Sequence, residues 1–159
     1  VLRHYDELIE AVSKLAYYVP MIISTGGNTG SQSSSLIIRG LAVGDVKPSD
    51  WNRVAVREVG QGVVLGLMLA MIAMVRIWSW GDGTALMFTV GFTLVGIVIL
   101  GCTVGSMLPL LLRRLGLDPA TSSTPFIATL IDVFGIFIYL NVAKILLAEV
   151  IAGAAQKAH

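Results

Sequence analysis

The stretch GTALMFTVGFTLVGIVILGCTVGSMLPLLL, residues 83–112, runs for 30 residues without an Asp, Glu, Lys or Arg. A helix needs roughly 20 predominantly apolar residues to cross the hydrocarbon core of a bilayer, so this run decides the setting of the chain. Two further charge-free runs precede it, residues 59–75 and 15–38. Over all 159 residues the mean hydropathy is +0.82 and 13% of residues are charged, about half the charged share of a soluble domain. A buried helical core in a soluble protein does not account for three such runs in so short a chain. The expected fold is all-α, a polytopic transmembrane helical bundle.

Working outward from residues 83–112 gives four expected spans, at about 8–40, 59–80, 85–112 and 124–150. Gly81-Asp82-Gly83 reads as a tight turn between the second and third spans, bordered by Arg76, Trp78 and Trp80 as interfacial anchors. Pro109 lies near the end of the third span, and Arg113, Arg114 and Asp118-Pro119 form a short loop after it. Thr124-Pro125 has the pattern of an N-cap followed by a first-turn proline. Residues 41–58 read as a charged connector with Pro48 and Trp51, and residues 152–159 as a frayed tail. No internal repeat is present. The chain opens at Val1 in a charged stretch without a signal-peptide pattern, so residues 1–159 are expected to be a pore domain cut from a longer protein.

Lys and Arg placement sets the expected orientation. Arg39, Lys47, Arg53 and Arg57 follow the first span, Arg113 and Arg114 follow the third, and the Asp82 turn has only Arg76 at its edge. The two basic loops are therefore expected in the cytoplasm and the Asp82 turn outside. A net charge of +1 argues against nucleic acid or another broadly anionic partner. Cys102 is the single cysteine, so no disulfide framework exists and a packing role is expected. His4 and His159, near the ends, read as solvated. Gly62 and Gly66, then Gly101 and Gly105, stand four apart, the spacing that lets helix backbones approach closely in lipid.

Two features break the pattern of a passive membrane helix. Asp132 lies in the middle of the fourth span, where a carboxylate costs roughly 3 kcal/mol even on the most lenient insertion scale. It must face a partner or water, and no Lys or Arg lies at comparable depth. Thr124, Ala128, Asp132 and Gly135 make a small, polar stripe, with Phe126, Leu130, Phe134 and Phe137 elsewhere. Such a face suits a water-filled lumen; a structural ion pair or a protonated, merely structural Asp are the alternatives. The second feature is the insertion STGGNTGSQSSS, residues 24–35. Its glycines weaken a helix, and broken backbone in a bilayer is tolerated only where protein or water surrounds it. Freed carbonyls there, near Pro20, are expected to serve hard cations or their water shells. A phosphate-cradling glycine loop would need a preceding strand and an adjacent basic residue, and neither is present; a polar patch without ligand is the remaining alternative.

A magnesium-like ion keeps its waters and is bound through few carboxylates. One Asp132 per chain, doubled by a two-fold axis, would supply a wide oxygen-lined constriction. Glu10 and Glu58, close to span ends, are expected to be exposed, and Asp118 fits simple turn chemistry with Pro119.

These residues carry a family resemblance. Pro20-x3-Ser24-Thr-Gly-Gly-Asn-Thr-Gly-Ser-Gln32, followed by Leu36-Ile-Ile-Arg-Gly-Leu-Ala42, resembles the second membrane span of the MgtE magnesium-channel family. Leu117-Asp118-Pro119 and Thr124-Pro125-x2-Ala128-Thr129-x2-Asp132-x2-Gly135 resemble its fifth. The likeness covers about residues 5–150, placing the four spans as the second to fifth of five. It implies a homodimer in the bacterial inner membrane, with Mg2+ as transported ion and ligand. It further implies that a first span and cytosolic regulatory domains lie upstream, and that a piece without them lacks magnesium-dependent closure. By the same implication Asp132 holds the hydrated ion with the backbone oxygens of Ala128 and Gly27. Ser24, Asn28, Ser31 and Thr124 line the pore, and Glu10, Glu58 and Asp118 fall at acidic positions, Asp118 near a regulatory metal. Where family members carry Asn, Ser31 and Thr124 keep a polar oxygen.

The expectation is passive divalent-cation influx rather than enzymatic chemistry. Alternatives are a cation-coupled antiporter, a broader Mn2+ or Co2+ transporter, and an assembly scaffold indifferent to Asp132. An intramembrane aspartyl protease needs two carboxylates at one site, and only one deep Asp exists.

Overall fold

The structure is a computed structural model; it describes the backbone of residues 2–121 and 124–156 and the side chains of residues 13–120 and 125–146. Among the described residues there are four long helices and no strand: α1 (Leu2–Val43), α2 (Trp51–Trp80), α3 (Thr84–Arg114) and α4 (Thr124–Gln156). Two short 3-10 turns, Pro48–Asp50 and Pro119–Thr121, lead into α2 and α4. The expected all-α membrane bundle is observed, and the protein is a multi-pass membrane protein.

Three helical segments are long and apolar enough to cross a bilayer: Pro48–Trp80, Thr84–Arg114 and Pro125–Leu146. The expected fourth, α1, does not meet that criterion over its described residues. At 42 residues it is long enough, about 63 Å at 1.5 Å per residue, but the Ser, Thr, Asn and Gln of residues 24–35 dilute its hydropathy.

Helix ends depart from the sequence reading in three places. α2 begins at Trp51, so Arg53, Arg57 and Glu58 belong to the helix rather than to a connector. The Lys47 N–H donates to Asp50 Oδ2 at 2.8 Å, which closes the Pro48 turn and starts the helix early. α3 passes through Pro109 and continues to Arg114. α4 runs on to Gln156, into the stretch expected to fray. The Asp82 turn is as expected: Gly81 (φ 75°) caps α2, and Gly83 (φ 94°) opens α3, both in the left-handed region that glycine tolerates.

α3 is the central helix, packing against α1, α2 and α4. Its own residues explain this, since small and branched apolar side chains cover its whole circumference. α2 buries one narrow stripe against it: Val54, Glu58, Gly62, Gly66, Ala70, Ala73 and Ile77. Three- and four-residue steps keep that stripe on one face, and the remainder of α2, including Val64, Met71, Ile72 and Val75, is exposed. Such a surface belongs in lipid. The small-residue spacing is used directly. A Cβ on Gly62 would lie 2.8 Å from the Ile99 Cα, and one on Gly66 3.0 Å from the Val95 Cα. Cys102 is buried and unpaired in α3, in the packing role expected.

Candidate functional site

The polar insertion of α1 folds as uninterrupted helix, contrary to the broken backbone expected of it. Its hydroxyls bond back to the helix's own carbonyls: Thr25 Oγ1 to the Met21 oxygen and Thr29 Oγ1 to the Thr25 oxygen, both at 2.7 Å. The glycines serve close approach instead. A Cβ on Gly101 would lie 2.8 Å from the Gly26 carbonyl oxygen, and one on Gly105 would overlap the Gly30 carbonyl. Gly26 and Gly30 of α1 thus face Gly101 and Gly105 of α3, backbone against backbone. The helix weakening of about 1 kcal/mol per glycine is offset by that contact, the usual packing solution in lipid.

The insertion therefore presents three faces. Gly26 and Gly30 meet α3 and also Ile131 of α4. Ser24, Asn28, Ser31 and Ser35 recur at steps of three and four residues and form a polar stripe. Ser24 and Asn28 are exposed, with Asn28 Nδ2 donating to Ser24 Oγ at 3.3 Å. Asn28, Ser31, Gln32, Ser35 and Leu36 line an open groove of about 500 Å³. The third face is Gly27, buried against α4.

Gly27 meets Asp132 there. A Cβ on Gly27 would lie 3.2 Å from Asp132 Oδ1 and 3.6 Å from the Ala128 Cβ. The structure thus brings together Asp132, Ala128 and Gly27, a trio drawn from helices about a hundred residues apart in the chain. Asp132 is half-buried. Among the described residues no hydrogen bond or ion pair to its carboxylate is found, so the alternative of a structural ion pair finds no partner. Glycine at position 27 keeps the space beside the carboxylate open; any side chain there would crowd it.

The flanking stripe differs from expectation. Gly135 does not face a lumen, because a Cβ there would run into the Ile97 side chain of α3. Glu58, expected to be exposed, is buried at 7% exposure on the α2 stripe. The early start of α2 carries it past the water-side end and onto α3, near Cys102. Asp118 is exposed and its Oδ1 accepts the Ala120 N–H at 2.9 Å, the turn role that its Pro119 neighbour predicts. Thr124 and Glu10 have side chains outside the described residues. Among the described residues no three His, Cys, Asp or Glu side chains converge to hold a metal, so one chain supplies a single deep acid to the site.

Sequence reasoning passed over another polar cluster. Tyr18 Oη donates to Asp82 Oδ2 at 2.9 Å, Lys14 Nζ stands 3.7 Å from Asp82 Oδ1, and Tyr139 Oη donates to the Leu15 carbonyl at 2.9 Å. Its one signal in the sequence is Tyr139 lying two helical turns from Asp132 on the same face.

Residues 19–142 match a family model described as divalent cation transporter, MgtE. The magnesium transporter MgtE of Thermus thermophilus is 49% identical over 150 residues, covering 94% of this chain and 33% of the relative. The protein of the same name from Enterococcus faecalis is 34% identical over 144 residues, covering 91% and 32%. A third, from Bacillus subtilis, is 29% identical over 143 residues, covering 90% and 32%. The chain spans about a third of the length of these relatives.

Proposed function

From the premise that this chain belongs to the MgtE family of divalent cation transporters, we propose that it forms the pore of a channel carrying hydrated Mg2+ passively into the cell. The observation that carries this reading is the half-buried Asp132 carboxylate, without a partner among the described residues, set against Gly27 and Ala128. Holding an unpaired carboxylate at mid-bilayer is expensive, and a water-borne cation is what removes the expense.

The chemistry favours an ion that keeps its water. In intact helices the Gly27 and Ala128 carbonyls already accept a backbone N–H, so each has one lone pair left. That suffices for a hydrogen bond from a coordinated water and falls short of a dry cage. Mg2+ sheds water reluctantly, and the match is good. A single acid per chain is weak neutralisation for a divalent ion. In the proposal two chains form a homodimer, with Asp132, Ser24, Asn28 and Ser31 of each facing the two-fold axis. α1 then spans with its polar stripe turned from lipid toward that axis, and the Asp82 turn lies outside. Upstream cytosolic domains, in the longer whole protein, supply regulation.

The test is Mg2+ influx into proteoliposomes holding the whole protein. Asp132→Asn is expected to reduce flux by at least tenfold with the fold and dimer retained. Near-normal flux in that variant would end the proposal. Influx is expected to be the same with and without a sodium gradient; a requirement for the gradient would establish coupled exchange.

A further inference from the structure

The turn between α2 and α3 holds a carboxylate on which α1 converges. Asp82 accepts from Tyr18 at 2.9 Å and stands 3.7 Å from the Lys14 ammonium. Tyr18 is buried at 8% exposure, so this contact is more than a surface ion pair. On the other side of the same stretch Tyr139, at 1% exposure, donates to the Leu15 carbonyl. The neighbouring Ala16 carbonyl is the one whose usual partner would be the N–H that Pro20 lacks. The helix ladder is therefore weakest where Tyr139 fastens it.

Among the described residues the Tyr139 bond is the one hydrogen bond that crosses from α4 to α1. Apart from Asp132 beside Gly27, the seam sets Ile127 and Ile131 against Gly30 and Gly26, and apolar contacts fix distance less sharply than a directed bond does. Tyr139 lies about 10 Å beyond Asp132 along α4, and Tyr18 about 14 Å before Gly27 along α1, at 1.5 Å per residue. The two helices whose separation sets the space between Gly27 and Asp132 are thus clamped at one level, and that level is tied to the α2–α3 turn.

We propose that Tyr139, Tyr18 and Asp82 are positioning residues that fix α4 against α1, and with it the placement of the Asp132 carboxylate at the pore, and so set discrimination against larger divalent ions. The inference rests on the pore reading above. The water shell of Mg2+ is held near-octahedral while Ca2+ accepts longer and more variable contacts, so a carboxylate that is no longer held in place penalises Mg2+ selectively. Tyr139→Phe keeps the ring and removes only the hydroxyl, and Asp82→Asn keeps the turn and removes the charge.

The experiment measures Mg2+ and Ca2+ influx in proteoliposomes for the whole protein, the two variants and Asp132→Asn. Loss of one hydrogen bond corresponds to up to about tenfold in an equilibrium, so both variants should lower the Mg2+-to-Ca2+ preference by several-fold. The half-saturating Mg2+ concentration should rise while maximal flux is kept. A purely structural role would lower thermal stability without moving the ion preference. An unchanged preference in folded Tyr139→Phe overturns the inference, whatever becomes of Asp82→Asn. If Asp132→Asn also conducts normally, the pore reading fails with it; if Asp132→Asn is inactive, the positioning role alone is lost.

Discussion

Asp132 and Ser34 are opposite cases of a polar group in an apolar setting. Asp132 is half-buried beside a glycine, where the proposal has a cation meet it. Ser34 is fully buried, and among the described residues its hydroxyl has no hydrogen-bond partner. An unsatisfied buried hydroxyl costs about 1–3 kcal/mol, and alanine has nearly the same volume. Ser34→Ala is therefore expected to stabilise the protein by about 1 kcal/mol, seen as a higher unfolding midpoint in detergent with Mg2+ flux retained. At this scale the sequence was only partly legible. Asp132 stood out because a lone acid in an apolar run is conspicuous in one dimension. Its neighbour Gly27 could be placed beside it only through family likeness, since the contact joins separate helices. Glu58 was misread because its environment depends on where α2 starts, and a Lys47–Asp50 turn contact decides that.

At the scale of helices, glycine position matters more than glycine count. Gly60 and Gly62 are two residues apart in α2 and point to different surroundings. Among the described residues a methyl on Gly60 would meet nothing within 4 Å, whereas one on Gly62 would press on the Ile99 backbone. Gly60→Ala is expected to stabilise α2 by up to about 1 kcal/mol through helix propensity. Gly62→Ala should instead destabilise the α2–α3 pair, since backbone yields less readily than a side-chain tip. Thermal unfolding of the two variants side by side checks this, and equal shifts would contradict it. Hydropathy announced α2 and α3 because their apolar runs are long and charge-free, and α4 because Asp132 alone interrupts its run before Lys144. α1 is harder to read: its polar residues disguise a continuous helix, and the same glycines are compatible with a break or with close packing. Only the opposing Gly101 and Gly105 decide between them.

For the whole molecule, the distribution of faces carries the argument. α2 shows lipid an apolar flank, α3 packs against the other three long helices, and the polar stripe of α1 lines an open groove. With the proposed two-fold axis along that opening, Asn28 of one chain comes close to Asn28 of its partner. Asn28→Cys in a Cys102→Ala background should form a disulfide-linked dimer on mild oxidation in membranes. Val64→Cys on the lipid flank should not. Efficient cross-linking at residue 64 and none at residue 28 would place the symmetry axis elsewhere.

α2 is one stiff rod from Trp51 to Trp80. At about 45 Å it exceeds a hydrocarbon thickness of roughly 30 Å, so its first turns, with Arg53 and Arg57, stand clear of the lipid. No proline interrupts it, so a sideways push on that protruding handle would be carried along a continuous helix. The push would reach the Gly62 and Gly66 contacts as a tilt against α3, and through α3 the helices that flank Asp132. A mechanical input in the water beside Trp51 would thereby bear on α3 and on the two helices packed against it.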